Sequence, residues 1–124
     1  MKITLSNMEW KLMNRLWDSA PMTLMELTRA LEEETGWTKH TVITMLSRLE
    51  TKGAVRWEQD GRARSYFPII ARDDARRDET ASFLDRVYGG KLGLMVSTLV
   101  GEHALTREDI DELSEILRKA GEDK

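Results

Sequence analysis

The stretch TKHTVITMLSRLETKGAVRWEQDGRARSYFP, from Thr38 to Pro68, changes period once, and that change decides the fold. Thr38 is placed to cap a helix running from Lys39 to about Lys52, and Gly53 to close it in a left-handed conformation. At about 100° per residue, Val42, Met45, Leu46 and Leu49 share one face, while His40, Thr44, Ser47 and Thr51 centre on the opposite one. Beyond Gly53 the residues become β-favouring. Ala54 to Glu58 and Ala63 to Pro68 flank Gln59-Asp60-Gly61-Arg62, whose Asp-Gly pair suits a tight hairpin turn. Pro68 tolerates only an edge or terminal place in a strand.

Upstream lie two further helices. Ser6-Asn7-Met8-Glu9 is a capping box, followed at helical spacing by Leu12, Met13, Leu16 and Trp17, so a first helix is predicted from Asn7 to about Trp17. Thr23-Leu24-Met25-Glu26 is a second capping box and opens a helix from Leu24 to about Glu34, ended by Thr35-Gly36. Helix, helix, turn, helix, hairpin is the order of a winged helix-turn-helix. Residues 1–72 are therefore read as one DNA-binding domain.

Downstream the character shifts. Asp73 to Tyr88 reads as a charged amphipathic helix, Lys91 to Val100 as a short apolar one, and Thr106-x-x-Asp109 caps a last helix with Ile110, Leu113 and Leu117 on one stripe. Three short helices with narrow apolar stripes make a poor core by themselves. Packing against a second copy is the simplest remedy. Residues 73–124 are therefore predicted to be a helical dimerisation region, with Phe83, Leu84, Val87, Leu94, Leu99, Ile110, Leu113 and Leu117 as its contacts. The fold class expected is mainly α with a small β-hairpin.

Composition narrows the function. With 40% hydrophobic and 33% charged residues in 124, the chain is too apolar for a disordered polyelectrolyte. Its longest apolar runs fall far short of the roughly 20 residues of a membrane span, and residues 1–7 lack a signal-peptide core. Zero cysteines remove disulfides, thiolate metal clusters and thiol nucleophiles. A cytoplasmic protein with no membrane partner is expected. The net charge of −3 is unevenly spread: residues 37–72 carry seven basic groups against three acidic ones, a local +4, while both flanks are negative. Binding responds to the local field, so a polyanion belongs in the middle third.

The candidate contacts follow from that placement. The second helix of a helix-turn-helix presents its N-terminal residues to base edges. Here these are Lys39, His40, Thr41, Ile43 and Thr44, with Ser47 and Arg48 further along. Lys39 and Arg48 suit phosphate or guanine, Thr and Ser hydroxyls either, and Ile43 a thymine methyl, or else the edge of the core. On the wing, Arg62 and Arg64 alternate with Ala63, which in a strand puts both on one face, from where they reach phosphates or the minor groove. Trp10, Trp17, Trp37 and Trp57 can form a stacking platform or, more simply, pack at the core and its elbows. His40 and His103 sit in different regions, and no metal site is expected. With no Gly-rich phosphate loop, Ser-His-Asp set or His-Glu-x-x-His motif, neither enzymatic activity nor a cofactor is expected.

These residues also carry a family resemblance. Glu9-Trp10 with Leu16-Trp17, Trp37-Thr38 leading into Thr41-Val42-x-Thr44-x-Leu46-x-Arg48-Leu49, Lys52-Gly53-Ala54, Gly61-Arg62-Ala63, Tyr66-x-Pro68, Ser82 to Gly90, and Leu105-Thr106-x-x-Asp109-Ile110 resemble the penicillinase-repressor family over nearly the whole chain. The resemblance implies a homodimeric transcriptional repressor whose winged helices read the half-sites of a palindromic operator of TACA/TGTA type. Carried over by position, Thr41, Thr44 and Arg48 lie on the reading helix and Arg62 on the wing. Position 43, often basic in the family, is Ile43 here. Penicillin-responsive members are inactivated by a protease at an Asn-Phe bond before Val. The matching positions are Thr98 and Leu99, before Val100, so both residues of the bond differ. Copper-responsive members carry paired C-terminal cysteines, absent here. Two other readings stay open: a winged-helix module docking protein without DNA, and a regulator sensing a small ligand.

Overall fold

Four of the six helices begin where a polar side chain takes up a free amide of the first turn. The computed structural model describes residues 3–122. Helix α1 (Asn7–Ser19) is capped by Ser6, whose Oγ accepts from the Glu9 amide, while Glu9 Oε1 accepts from the Ser6 amide at 2.7 Å. Thr23 and Glu26 repeat the device at α2 (Leu24–Thr35). Thr38 caps α3 (Lys39–Lys52), which Gly53 ends at φ +82°, a left-handed turn that leaves any other residue strained.

Three strands follow the helices' plan. Strand β1 (Met22–Thr23) precedes α2, and β2 (Val55–Asp60) and β3 (Ala63–Pro68) form the hairpin. The sheet is antiparallel in the order β1-β3-β2, with Met22 opposite Tyr66 and Trp57 opposite Tyr66 on the other side. The two-residue β1 adds to the hairpin expected from the sequence; it is too short to show a period. Pro68 is the last residue of the central strand, where it interrupts no ladder. Asp60 pairs with Ala63, so the turn residues are Gly61-Arg62 rather than Asp60-Gly61. Gly61 alone of the two has positive φ, +63°, which suits the twist of a two-residue hairpin.

The core lies where the helices and sheet converge. Leu12, Met13 and Leu16 of α1, Leu27 and Leu31 of α2, and Val42, Met45, Leu46 and Leu49 of α3 are buried with Met22, Val55 and Tyr66. Burying each such side chain contributes about 1.5–3 kcal/mol relative to leaving it exposed. The four tryptophans are partly buried against this cluster, and Trp17 Nε1 donates to the Ile70 carbonyl at 3.0 Å.

Helices α4 (Arg72–Tyr88), α5 (Leu92–Gly101) and α6 (Arg107–Glu122) complete the chain. Thr106 and Asp109 exchange capping hydrogen bonds of 3.0 Å at the start of α6. The chain divides into two compact units between Thr80 and Ala81, within α4 and eight residues beyond the boundary read from composition. The first unit holds the whole hydrophobic core. In the second, none of the described residues is buried. No helix among the described residues is long and apolar enough to cross a membrane.

One charged group lies inside the first unit. Glu9 is 2% exposed, and its Oε1 accepts from Lys52 Nζ at 2.5 Å; the same ammonium donates to the Thr4 carbonyl at 2.8 Å. Burial raises the Glu9 carboxyl, but the hydrogen bonds from Lys52 and Ser6 and the lysine charge outweigh it, holding it below the ordinary carboxylate value. A carboxyl lowered by folding contributes stability in full above its unfolded pKa, and that contribution is lost as pH falls through the folded one. Glu9→Gln is therefore expected to cost about 2 kcal/mol at pH 7. Thermal melts should show the gap from the unsubstituted protein closing as the medium is acidified below the carboxylate range. A gap that is constant with pH would show that the ionised carboxylate is not its source.

Candidate nucleic-acid interface

Helix α3 turns Val42, Met45, Leu46 and Leu49 into the core, so its opposite side faces outward. Lys39, His40, Ser47 and Arg48 are exposed on it, and Thr41 and Thr44 half-buried. Ile43 is 44% exposed and outside the core cluster, which removes the core-edge reading and leaves an outward apolar contact. The hydroxyls are oriented by local bonds. Thr44 Oγ1 donates to the His40 carbonyl at 3.1 Å, and the Thr41 hydroxyl lies 3.3 Å from that of Thr38. While its proton is so used, Thr44 Oγ1 offers outward its lone pairs, beside its methyl group.

The basic groups of the middle third sort into two sets. Lys52 is bound by Glu9, Arg56 by Glu58 at 2.9 Å, and Arg72 by Asp18 at 2.9 Å, with a further bond from Arg72 to the Asn14 carbonyl. Lys39, Arg48, Arg62 and Arg64 form no ion pair among the described residues. These four are the cations that the sequence assigned to contact. Three of them, Lys39, Arg62 and Arg64, line a depression of about 420 Å³ with Thr23, Leu24 and Met25 at the start of α2. Arg48, about 14 Å along α3 from Lys39, lines another hollow with Ser6, Ser47 and Thr51. The positive groups thus bracket the polar face of α3 at both ends.

The wing departs from the alternation argument. Arg62 belongs to the turn and not to β3, so strand geometry does not place it beside Arg64. Proximity to Lys39 in the shared depression does. Gln59 Nε2 donates to the Gly61 carbonyl at 3.0 Å, holding the tip. Arg64 lies over the Trp57 ring at 3.8 Å, and Trp57 Nε1 donates to Glu50 Oε1 of α3 at 2.8 Å. The hairpin register carries this signal: with Gly61-Arg62 at the turn, Gln59 opposes Arg64 and Trp57 is its diagonal neighbour.

The second unit is apolar outside. Of the eight residues expected at a dimer contact, Phe83, Val87, Leu94, Leu99, Ile110, Leu113 and Leu117 are exposed and Leu84 is half-buried. Leu99, Ile110, Leu113 and Leu117 meet in a groove of about 440 Å³ between α5 and α6, together with Leu92 and Met95, which the sequence reading missed because α5 is apolar all round. Phe83, Leu84, Val87 and Leu94 do not line it. Thr98 and Leu99 lie within α5, where Thr98 Oγ1 donates to the Leu94 carbonyl.

Comparison with known proteins gives this geometry a lineage. The chain is 33% identical over 115 residues to the penicillinase repressor of Bacillus licheniformis, covering 93% of this chain and 90% of that one. The solution structure of the DNA-binding domain of the repressor BlaI superposes with TM-score 0.54 at 32% identity, over 60% of this chain and 93% of that one. The monomeric form of Bacillus licheniformis BlaI in complex with the blaP half-operator superposes with TM-score 0.52 at 31% identity, over 57% and 87%. The penicillinase repressor profile itself matches residues 5–119, and the chain belongs to that family.

Proposed function

We propose that the chain is a homodimeric DNA-binding transcriptional repressor that grips a palindromic operator with two winged-helix heads. The observation that carries this reading is the sorting of cations within residues 37–72: Lys52, Arg56 and Arg72 are bound by carboxylates, while Lys39, Arg48, Arg62 and Arg64 form no ion pair among the described residues. A surface built to remain soluble has no need of that separation. A surface built for phosphates does, because each unneutralised cation releases a counterion on contact. Residues 1–72 supply the reading head, in which Lys39, Arg48, Arg62 and Arg64 hold the backbone. Thr41, Ile43, Thr44 and Ser47 face the base edges, Ile43 against a thymine methyl. The half-operator complex of the Bacillus licheniformis relative, matched at 31% identity, supports operator binding by this head.

Residues 73–124 supply the dimer. An α5–α6 groove lined by exposed leucines is unstable in water unless covered, and a second copy covers two such grooves at once. Two linked heads then bind as one. The second engagement becomes intramolecular, which raises affinity without any new contact type.

Gel shifts against the DNA upstream of the protein's own gene test the reading. Affinity is expected to fall with salt by roughly 0.9 log units per log unit of salt for each phosphate neutralised; salt-independent binding would contradict it. Arg62→Ala is expected to weaken all duplexes alike and to reduce that slope by about 1 per head. Thr44→Ala should instead cost about 1 kcal/mol at one base position and relax preference there, read by competition with single-base operator variants. Equal weakening on every sequence would remove Thr44 from base reading. Leu113→Asp is expected to give monomers in sedimentation velocity and much weaker operator binding, while an unchanged dimer would place the interface elsewhere.

A further inference from the structure

Two arginines of the hairpin lie over aromatic rings, and they differ in one respect. Arg56 covers Phe67 at 4.2 Å and is neutralised by Glu58 at 2.9 Å. Arg64 covers Trp57 at 3.8 Å and forms no ion pair among the described residues. The register places the two pairs on opposite faces of the hairpin: Trp57 and Arg64 share the face of buried Val55 and Tyr66, while Arg56 and Phe67 occupy the other. The indole under Arg64 is itself fixed, since its Nε1 donates to Glu50 Oε1 of α3. A chain of two contacts therefore runs from α3 through a tryptophan to a wing cation.

We propose that Trp57 is a positioning residue for DNA binding, which pre-orients Arg64 toward the phosphate backbone. The inference rests on the DNA-binding reading. A ring under a guanidinium holds its plane without quenching its charge, so the N–H groups at its edge remain available to phosphate. A free arginine side chain loses most of its rotamer freedom when it is immobilised on a ligand. One already stacked has less to lose. Glu50 contributes by fixing the indole rather than by pairing with Arg64, so the wing keeps its cation although α3 brings a carboxylate near it.

A double-substitution cycle separates this from simple packing. Trp57→Leu is expected to weaken operator binding about three- to fivefold, the worth of one exposed cation–aromatic contact. The same change in an Arg64→Ala background should have almost no effect. The salt slope gives the second measure: Arg64→Ala lowers it by about 1 per head in the unsubstituted protein, and by clearly less once Trp57 is leucine. Trp57→Phe, which keeps the ring and loses the N–H, provides a folded control checked by thermal melting and should retain most of the coupling. Independent effects of the Trp57 and Arg64 substitutions, or equal slope changes in both backgrounds, would overturn the proposal. Absence of duplex binding by the unsubstituted protein would instead overturn the DNA-binding reading on which it rests.

Discussion

The packing of α3 against α1, α2 and the sheet is the constraint on which the rest depends. Val42, Met45, Leu46 and Leu49 can be buried together only if the helix sits at one rotation about its axis. That rotation presents Thr44, Ser47 and Arg48 outward, and the bond from Thr44 Oγ1 to the His40 carbonyl adds only local orientation. A recognition surface requires a rigid support, because each degree of freedom lost on binding subtracts from affinity. Here the support is the core itself, and the reading face is what remains when the apolar stripe has been satisfied.

The electrostatics are a second layer built on that support. A formal count assigns +4 to residues 37–72, but three of the seven cations there are held by carboxylates, two of which lie in the preceding segment: Lys52 by Glu9 and Arg72 by Asp18. The Lys52–Glu9 pair joins the end of α3 to the start of α1, so its role is in the fold. What faces outward is a smaller and better-placed set of charges. Lys39 and the two wing arginines lie at one end of α3 and Arg48 toward the other, a spacing suited to a backbone that runs along a groove. An acidic protein can in this way present a basic surface, since the field near a ligand is set by the nearest charges and not by the total.

The second unit follows different physics. In α6 Glu108 and Asp109 lie in the first turn and Lys119 in the last, placements that the helix dipole favours, although Arg107 opens the helix and Glu122 ends it. What the unit lacks is anywhere to bury Leu99, Ile110, Leu113 and Leu117. The apolar groove between α5 and α6, on a unit with no buried residue among those described, is the surface that the proposed dimer would cover.

Much of this was legible in the primary structure because the signals were local. Capping boxes at Ser6-Glu9, Thr23-Glu26 and Thr106-Asp109 mark helix starts by chemistry within four residues, and the left-handed Gly53 marks an end; both depend on nothing distant. The period of α3 likewise named its buried residues correctly, since a helix imposes 3.6 residues per turn whatever surrounds it. What escaped were relations between segments. Strand β1 exists only because β3 offers it an edge. The hairpin turn fell on Gly61-Arg62 because β2 extends to Asp60, and a one-residue shift changes which side chains are neighbours. Trp57, an aromatic of uncertain role in one dimension, proved to lie between Glu50 and Arg64. Which cations were neutralised was likewise undetermined, because an ion pair such as Lys52–Glu9 spans 43 residues and its distance is set by tertiary packing alone. Sequence by itself determined the six helices, the hairpin and the outward face of α3; only the folded chain decided the third strand and which charges the exposed faces keep.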